Sequence, residues 1–286
     1  MSLKLDGNRI GIEGALALAN CSPSWSRLRA LSVCDCHLDP ESVAALLHGQ
    51  WEALDTLSLS NNDIGIQGIN ALVAPHPTSI SGHPPLPRLS HLDLSDNGLQ
   101  DEELQTLFRA HHFMNKIETL KLRNASMGQL SARAVGGALA AHALSTLRSL
   151  SLAGAKLEHV VIESLFAKHT WPALETLILT GCGLGEGGVG ALTSSARRCL
   201  PRVLRLDVKD CGIANTGNTH GLLRVLLLNR TSNSGGSEMT SGWCALRRVE
   251  VVRGYASLPC VIGNAWRLER NGGMCGEAAY VWAPTS

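Results

Sequence analysis

The stretch Leu54-Asp-Thr-Leu57-Ser-Leu59-Ser-Asn-Asn62-Asp-Ile64 returns as Leu89-Ser-His-Leu92-Asp-Leu94-Ser-Asp-Asn97-Gly-Leu99. Both fit one frame, L-x-x-L-x-L-x-x-N-x-(L/I). Its two middle leucines alternate with polar residues, the period-two pattern of a strand buried on one face only. The same frame fits residues 28–38, 117–127, 147–157, 174–184 and 203–213, with Cys or Ala in place of Asn. A partial copy opens the chain at Leu3, Leu5, Asn8 and Ile10, and a degenerate one follows Leu246.

The Asn position falls at 8, 36, 62, 97, 125, 155, 182, 211 and 254, so most spacings are 26–30 residues. Self-similarity at this period is the signature of stacked supersecondary units, each unable to bury its apolar face alone. The length between strands leaves room for a full helix in each unit. Apolar spacing predicts helices over 12–19, 40–47, 66–73, 101–108, 129–141, 159–166 and 187–194. Two spacings are longer. Residues 74–88 add a proline-rich insertion with Pro75, Pro77, Pro84, Pro85 and Pro87, and 229–242 add a Ser/Gly-rich one.

On these copies the chain resembles the ribonuclease-inhibitor-type leucine-rich repeat family. Relatives include repeat domains of innate-immune receptors and the GTPase-activating protein for Ran. The resemblance spans nearly the whole chain. It implies an α/β leucine-rich-repeat solenoid, a horseshoe with parallel strands on the concave face and helices on the convex face. The expected organisation is a solenoid over 1–254, about nine repeats, followed by a C-terminal cap or tail over 255–286.

The frame has a physical reason for each residue type. The leucines are core, with Leu31, Val33, Leu57, Leu59, Leu92, Leu94, Leu120, Leu122, Leu150, Leu152, Leu177, Leu179, Leu206 and Val208 expected to be buried. The Asn at the strand end can satisfy backbone groups where no strand partner is available. Cys36, Cys182 and Cys211 are smaller, weaker substitutes, and Ala125, Ala155 and Gly254 supply no side-chain bond. Two adjacent repeats without this tie predict a softer middle.

Composition narrows the function. The 286 residues carry 25 Lys+Arg and 24 Asp+Glu, a net charge of +1, with 44% hydrophobic residues. That balance gives no long-range field for nucleic acid or an anionic membrane, and no apolar run is long enough to span a bilayer. Nine cysteines without a disulfide-like framework suit a reduced, cytoplasmic protein. No GxSxG, HExxH or Walker motif is present, and the glycine-rich run 181–188 falls on a strand-to-helix turn of the repeat. Cys34 and Cys36 point differently in the frame, and His111 and His112 adjoin a helix end, so no metal site is expected. Neither a catalytic centre nor a cofactor is expected.

The chain therefore reads as a non-enzymatic protein–protein interaction scaffold, a subunit of a larger assembly. By fold analogy a cytoskeletal or ciliary setting is one home for it. Two alternatives follow from the resemblance: the recognition part of a receptor or ubiquitin-ligase-type adaptor, and a GTPase activator resembling the Ran activator. The latter's acidic tail is missing here. Expected partner-binding residues are Asp93, Lys121, Arg123, Arg205, Asp207, Lys209 and Arg248 on the concave face, and Trp266 and Trp282 near the carboxyl end. Leu3 and Leu5 complete the set, as a strand edge in core register that requires cover. The partner is protein, neither nucleic acid nor membrane.

Overall fold

The computed structural model describes residues 1–74, 86–157, 159–166, 168–211, 248–251, 266–271 and 279–284. Gly254, Tyr255, the 229–242 insertion and most of the 74–88 insertion, residues 75–85, lie outside the described residues. The chain divides into two compact units, residues 1–147 and 148–286.

In the first unit, strands β1 (Ser2–Lys4), β2 (Ala30–Ser32), β3 (Thr56–Ser58), β4 (His91–Asp93) and β5 (Thr119–Lys121) form a parallel sheet in sequence order. The register runs Leu3, Leu31, Leu57, Leu92 and Leu120, one frame position throughout. Helices α1 (Gly11–Cys21), α2 (Pro40–Leu47), α3 (Gly65–Val73), α4 (Asp101–Arg109), α5 (His111–Met114) and α6 (Gln129–Ala140) return the chain between strands. Successive helices α1 to α4 pack side by side, and α4 packs on α6. A two-residue strand, β6 (Ser126–Met127), precedes α6.

In the second unit, β7 (Ser149–Ser151), β9 (Thr176–Ile178), β10 (Arg205–Asp207) and β11 (Arg248–Val251) are parallel. A two-residue strand, β8 (Lys156–Leu157), follows β7, and α7 (His159–Phe166) packs on α8 (Gly185–Cys199). The series then changes sense. β13 (Ala279–Pro284) pairs antiparallel with β11, and β12 (Trp266–Asn271) pairs antiparallel with β13. All fourteen leucines and valines expected in the core are buried, none more than 3% exposed. Fully burying such a side chain contributes about 1.5–3 kcal/mol, so the two leucine columns dominate each unit's stability.

Local signals fix the helix starts. The Asp39 carboxylate accepts from Ser42 N at 2.8 Å, with Pro40 opening α2. Gln100 and Glu103 form a capping box on α4, whose first turn carries three acids and whose last turn carries Arg109. α6 has no cap of its own. Asp101 supplies it from the preceding repeat, Oδ1 accepting from Gly128 N at 2.8 Å and Ser131 N at 2.9 Å, Oδ2 from Leu130 N at 3.0 Å.

The strand-end ties follow the frame. Asn62 Oδ1 accepts from Cys36 N and Leu38 N, both at 3.0 Å, while Nδ2 donates to Val33 O at 2.9 Å. Asn97 Nδ2 donates to Leu59 O at 3.0 Å. The cysteines reach the equivalent carbonyl of the preceding strand: Cys36 Sγ to Leu5 O, Cys182 Sγ to Leu152 O, and Cys211 Sγ to Leu179 O. They are weaker ties because a thiol offers one soft donor where the amide donates and accepts. At the alanines the backbone closes on itself, Ala125 N donating to Leu122 O and Ala155 N to Leu152 O.

Among the described residues, the one before each tie position has a left-handed backbone: Gly7, Asp35, Asn61, Asp96, Asn124, Gly154, Gly181 and Asp210, with φ between 53° and 74°. Only Gly, Asn and Asp occupy these eight positions, the residues that tolerate this conformation best.

Candidate protein-interaction surfaces

The sheet side chains that point away from the leucine core form in-register columns. In the first unit one column runs Ser2, Ala30, Thr56, His91 and Thr119, and the next Lys4, Ser32, Ser58, Asp93 and Lys121. Lys4, His91, Lys121 and Arg123 are exposed, while the serines and threonines between are half-buried. Lys121 and Arg123 are paired with acids. Lys121 Nζ lies 3.2 Å from Asp93 Oδ2, and Arg123 Nε 3.9 Å from Asp96 Oδ1. Exposed pairs of this kind add little stability, but they align the long side chains across neighbouring strands. At the β1 edge Asp6 Oδ1 accepts from Ser32 Oγ at 2.6 Å and Cys34 N at 2.9 Å. The Ser32 hydroxyl bond above all, with those from Cys34, holds its carboxyl below the usual carboxylate range despite some burial.

In the second unit the columns run Ser149, Thr176 and Arg205, then Ser151, Ile178 and Asp207, with Arg248 and Glu250 at the matching register positions of β11. Here one expectation needs correction. The frame places Asp207 among outward, partner-facing residues, yet it is only 3% exposed. Its carboxylate accepts from Thr180 Oγ1 at 2.8 Å and Lys209 N at 3.2 Å, with Lys209 Nζ 3.2 Å away. Thr180 from the preceding repeat and Lys209 two residues on satisfy it. Arg205 and Lys209 are half-buried. Arg248, Trp266 and Trp282 lie on β11, β12 and β13, with Trp282 opposite Leu268 and Val249.

The amino-terminal side of the first unit is apolar. Leu3 and Leu5 are half-buried, and an open groove of about 400 Å³ is lined by Leu5, Ile10, Leu18 and Trp25 among others. Met1, Ile12 and Leu16 are exposed nearby.

Among the described residues no group of three or more His, Cys, Asp or Glu is placed to hold a metal ion. Cys34 Sγ lies 2.9 Å from Ser58 Oγ on the outward face, whereas Cys36 is buried at its tie position, so the pair diverges. His112 Nε2 meets Val73 O at 2.9 Å. The glycines at 181, 183 and 185 have positive φ on the turn entering α8. Among the described residues no helix is long and apolar enough to cross a membrane.

A family model described as "Leucine Rich repeat" matches residues 1–19 and 87–107. No curated protein matches the chain.

Proposed function

We propose that this leucine-rich repeat protein is a non-enzymatic scaffold of the ribonuclease-inhibitor type, binding a protein partner as a subunit of a larger assembly. Leucine-rich repeats generally mediate contacts between proteins. The ribonuclease-inhibitor subclass is favoured by the 26–30-residue spacing and by a true helix after each repeat strand from β1 to β9. In that subclass the repeats curve into a horseshoe, its concave face lined by the outward sheet columns.

The observation that carries the reading is the polar, small-residue face of the sheet. Serines and threonines allow another backbone to approach closely, and Lys121, Arg123, Asp93 and Asp96 frame them with paired charges. Arg205 and Lys209 add basic side chains to the corresponding face of the second unit, and Arg248 stands at the next register position on β11. The apolar amino-terminal side, with Leu3 and Leu5, is a second contact region.

The test is affinity isolation with the tagged full chain, its Lys121→Glu/Arg123→Glu variant and its Leu5→Lys variant. A partner recovered by the native chain and lost with at least one folded variant is expected. Recovery unchanged by all these substitutions overturns the assignment of both surfaces.

A further inference from the structure

Asn97, a tie residue, is followed directly by Gly98. An asparagine in front of glycine can lose its amide unaided, because the next backbone nitrogen reaches Cγ past no side chain. One condition at Gly98 permits that chemistry here, and one at Asn97 restrains it.

Gly98 has a left-handed backbone, φ 64°, and the space where a Cβ would stand is open. Among the described residues its N–H has no hydrogen-bond partner. The tie before it differs. Asn62 is followed by Asp63, whose N–H donates to Leu38 O at 2.9 Å. The nitrogen placed to attack is thus engaged after Asn62 and disengaged after Asn97.

The Asn97 side chain is 6% exposed. Its Nδ2 donates to Leu59 O, Leu94 O and Ser95 O, and its Oδ1 accepts from Asn62 N. The bonds to Leu59 and Asn62 cross the joint between β3 and β4. Expelling Nδ2 breaks three of the four bonds, and re-aiming Cγ for attack breaks the last. Attack needs the reacting atoms aligned at contact distance, so it waits for the joint to open.

We propose that Asn97 and Gly98 form a site of spontaneous deamidation gated by the β3–β4 joint. The closed tie holds the reaction off, and the reaction, once taken, keeps the joint loose. Gly98 N bonds to Asn97 Cγ, the Cγ–Nδ2 bond breaks, and Nδ2 leaves as ammonia. The proton it gains is the one that Gly98 N gives up through solvent. Water then opens the cyclic imide. Entry at Cγ leaves aspartate, and entry at the Asn97 backbone carbonyl leaves isoaspartate, with the chain rerouted through the side chain. Either product adds a negative charge to a chain of net charge +1. Neither can donate to Leu59 O, Leu94 O and Ser95 O as the amide did.

The full chain is incubated at mildly alkaline pH, folded in buffer and unfolded in urea. Position 97 is followed by peptide mass, which also separates it from the chain's other Asn-Gly pair, Asn271-Gly272. Modification at 97 is expected in urea, and about a hundredfold more slowly in buffer. The slowing should match the protection of the Asn62 amide against exchange, since one opening frees both. Equal rates in buffer and urea overturn the gate. So does a rate that fails to rise with Asn62 exchange when sub-denaturing urea is added.

Gly98→His copies the second repeat, where His37 holds the same step at φ 54°. In urea, where the fold plays no part, this variant should be modified about tenfold more slowly. An unchanged rate overturns Gly98 as the attacking residue. The form modified at 97 alone is then separated by charge and returned to buffer. Its Leu59 and Asn61 amides, which donate to Asp93 O and Ser95 O across the joint, should exchange faster than in the native chain. Exchange equal to native overturns the lasting loosening.

Discussion

Asn97 Oδ1 accepts from the backbone amide of Asn62 at 3.1 Å, and Asn62 Oδ1 accepts in turn from the amides of Cys36 and Leu38. Two side chains thereby tie three successive strand ends. Asn97 is buried, and its Nδ2 also donates to the Leu59, Leu94 and Ser95 carbonyls. Asn97→Ala leaves these groups without their partner in a dry site, where each unmet group costs about 1–3 kcal/mol. Asn97→Cys, the substitution that nature makes at 36, 182 and 211, should fall between native and alanine. Urea unfolding of the three proteins checks the order, and an alanine variant as stable as the native chain contradicts it.

Asp101 links stability to pH. Burial works against its ionisation, but the Ser131 hydroxyl and amide and the Leu130 and Gly128 amides outweigh it. The carboxyl is therefore held below the usual range. A depressed folded pKa means that this stabilisation is complete above the unfolded value, about 3.9, and is lost as pH falls through the folded value. Asp101→Asn should therefore be less stable than native at pH 7. The gap in urea midpoint should close as pH falls below about 4, and a gap independent of pH contradicts the assignment.

The thiols divide by environment. Burial, with Cys211 beside it, pushes the Cys182 thiol up to about 12, and burial pushes Cys211 up to about 11. Both also donate to backbone carbonyls. Cys21 is exposed and Cys34 half-buried. Alkylation of the native protein at pH 8, read by mass spectrometry, should mark Cys21 and Cys34 well before Cys182 and Cys211. Equal labelling contradicts the buried placement.

Leu122 and Leu152 lie in the repeats whose tie positions hold Ala125 and Ala155. Each Leu→Ala change should cost about 2–5 kcal/mol, as deletion of a buried side chain does. Within each unit, the alanine repeat should exchange its amides faster than its neighbours. Slowest exchange at β5 and β7 would show that the leucine columns alone set local stability.

Much of this was legible in the sequence because leucines at period two fix which side of each strand is core. Once Leu57 and Leu92 are aligned, the register follows. The bounds of α2 and α7 agree with the expected 40–47 and 159–166, and α2 opens at the Asp39-Pro40 signal. Less regular features escaped. The left-handed position before each tie is shared among three residue types, so no single letter marks it. The α6 cap comes from Asp101, a repeat away, and no local spacing reveals an acceptor at that distance. Asp207 is buried although the frame turns it outward, because alternation states which way a side chain leaves the strand, not whether Thr180 and Lys209 close over it.

The ties that Asn62 and Asn97 make to the strand ends before them have a mechanical consequence. In the first unit the backbone bonds between β1 and β2, and those between β2 and β3, are loaded one joint at a time when tension is applied at Met1. Rupture should advance in steps rather than as one event. Each ordinary repeat of 26–28 residues releases about 90–100 Å of contour length. The force should rise where Asn62 and Asn97 clamp consecutive joints, so resistance to extension is set by two amide side chains more than by the leucines behind them.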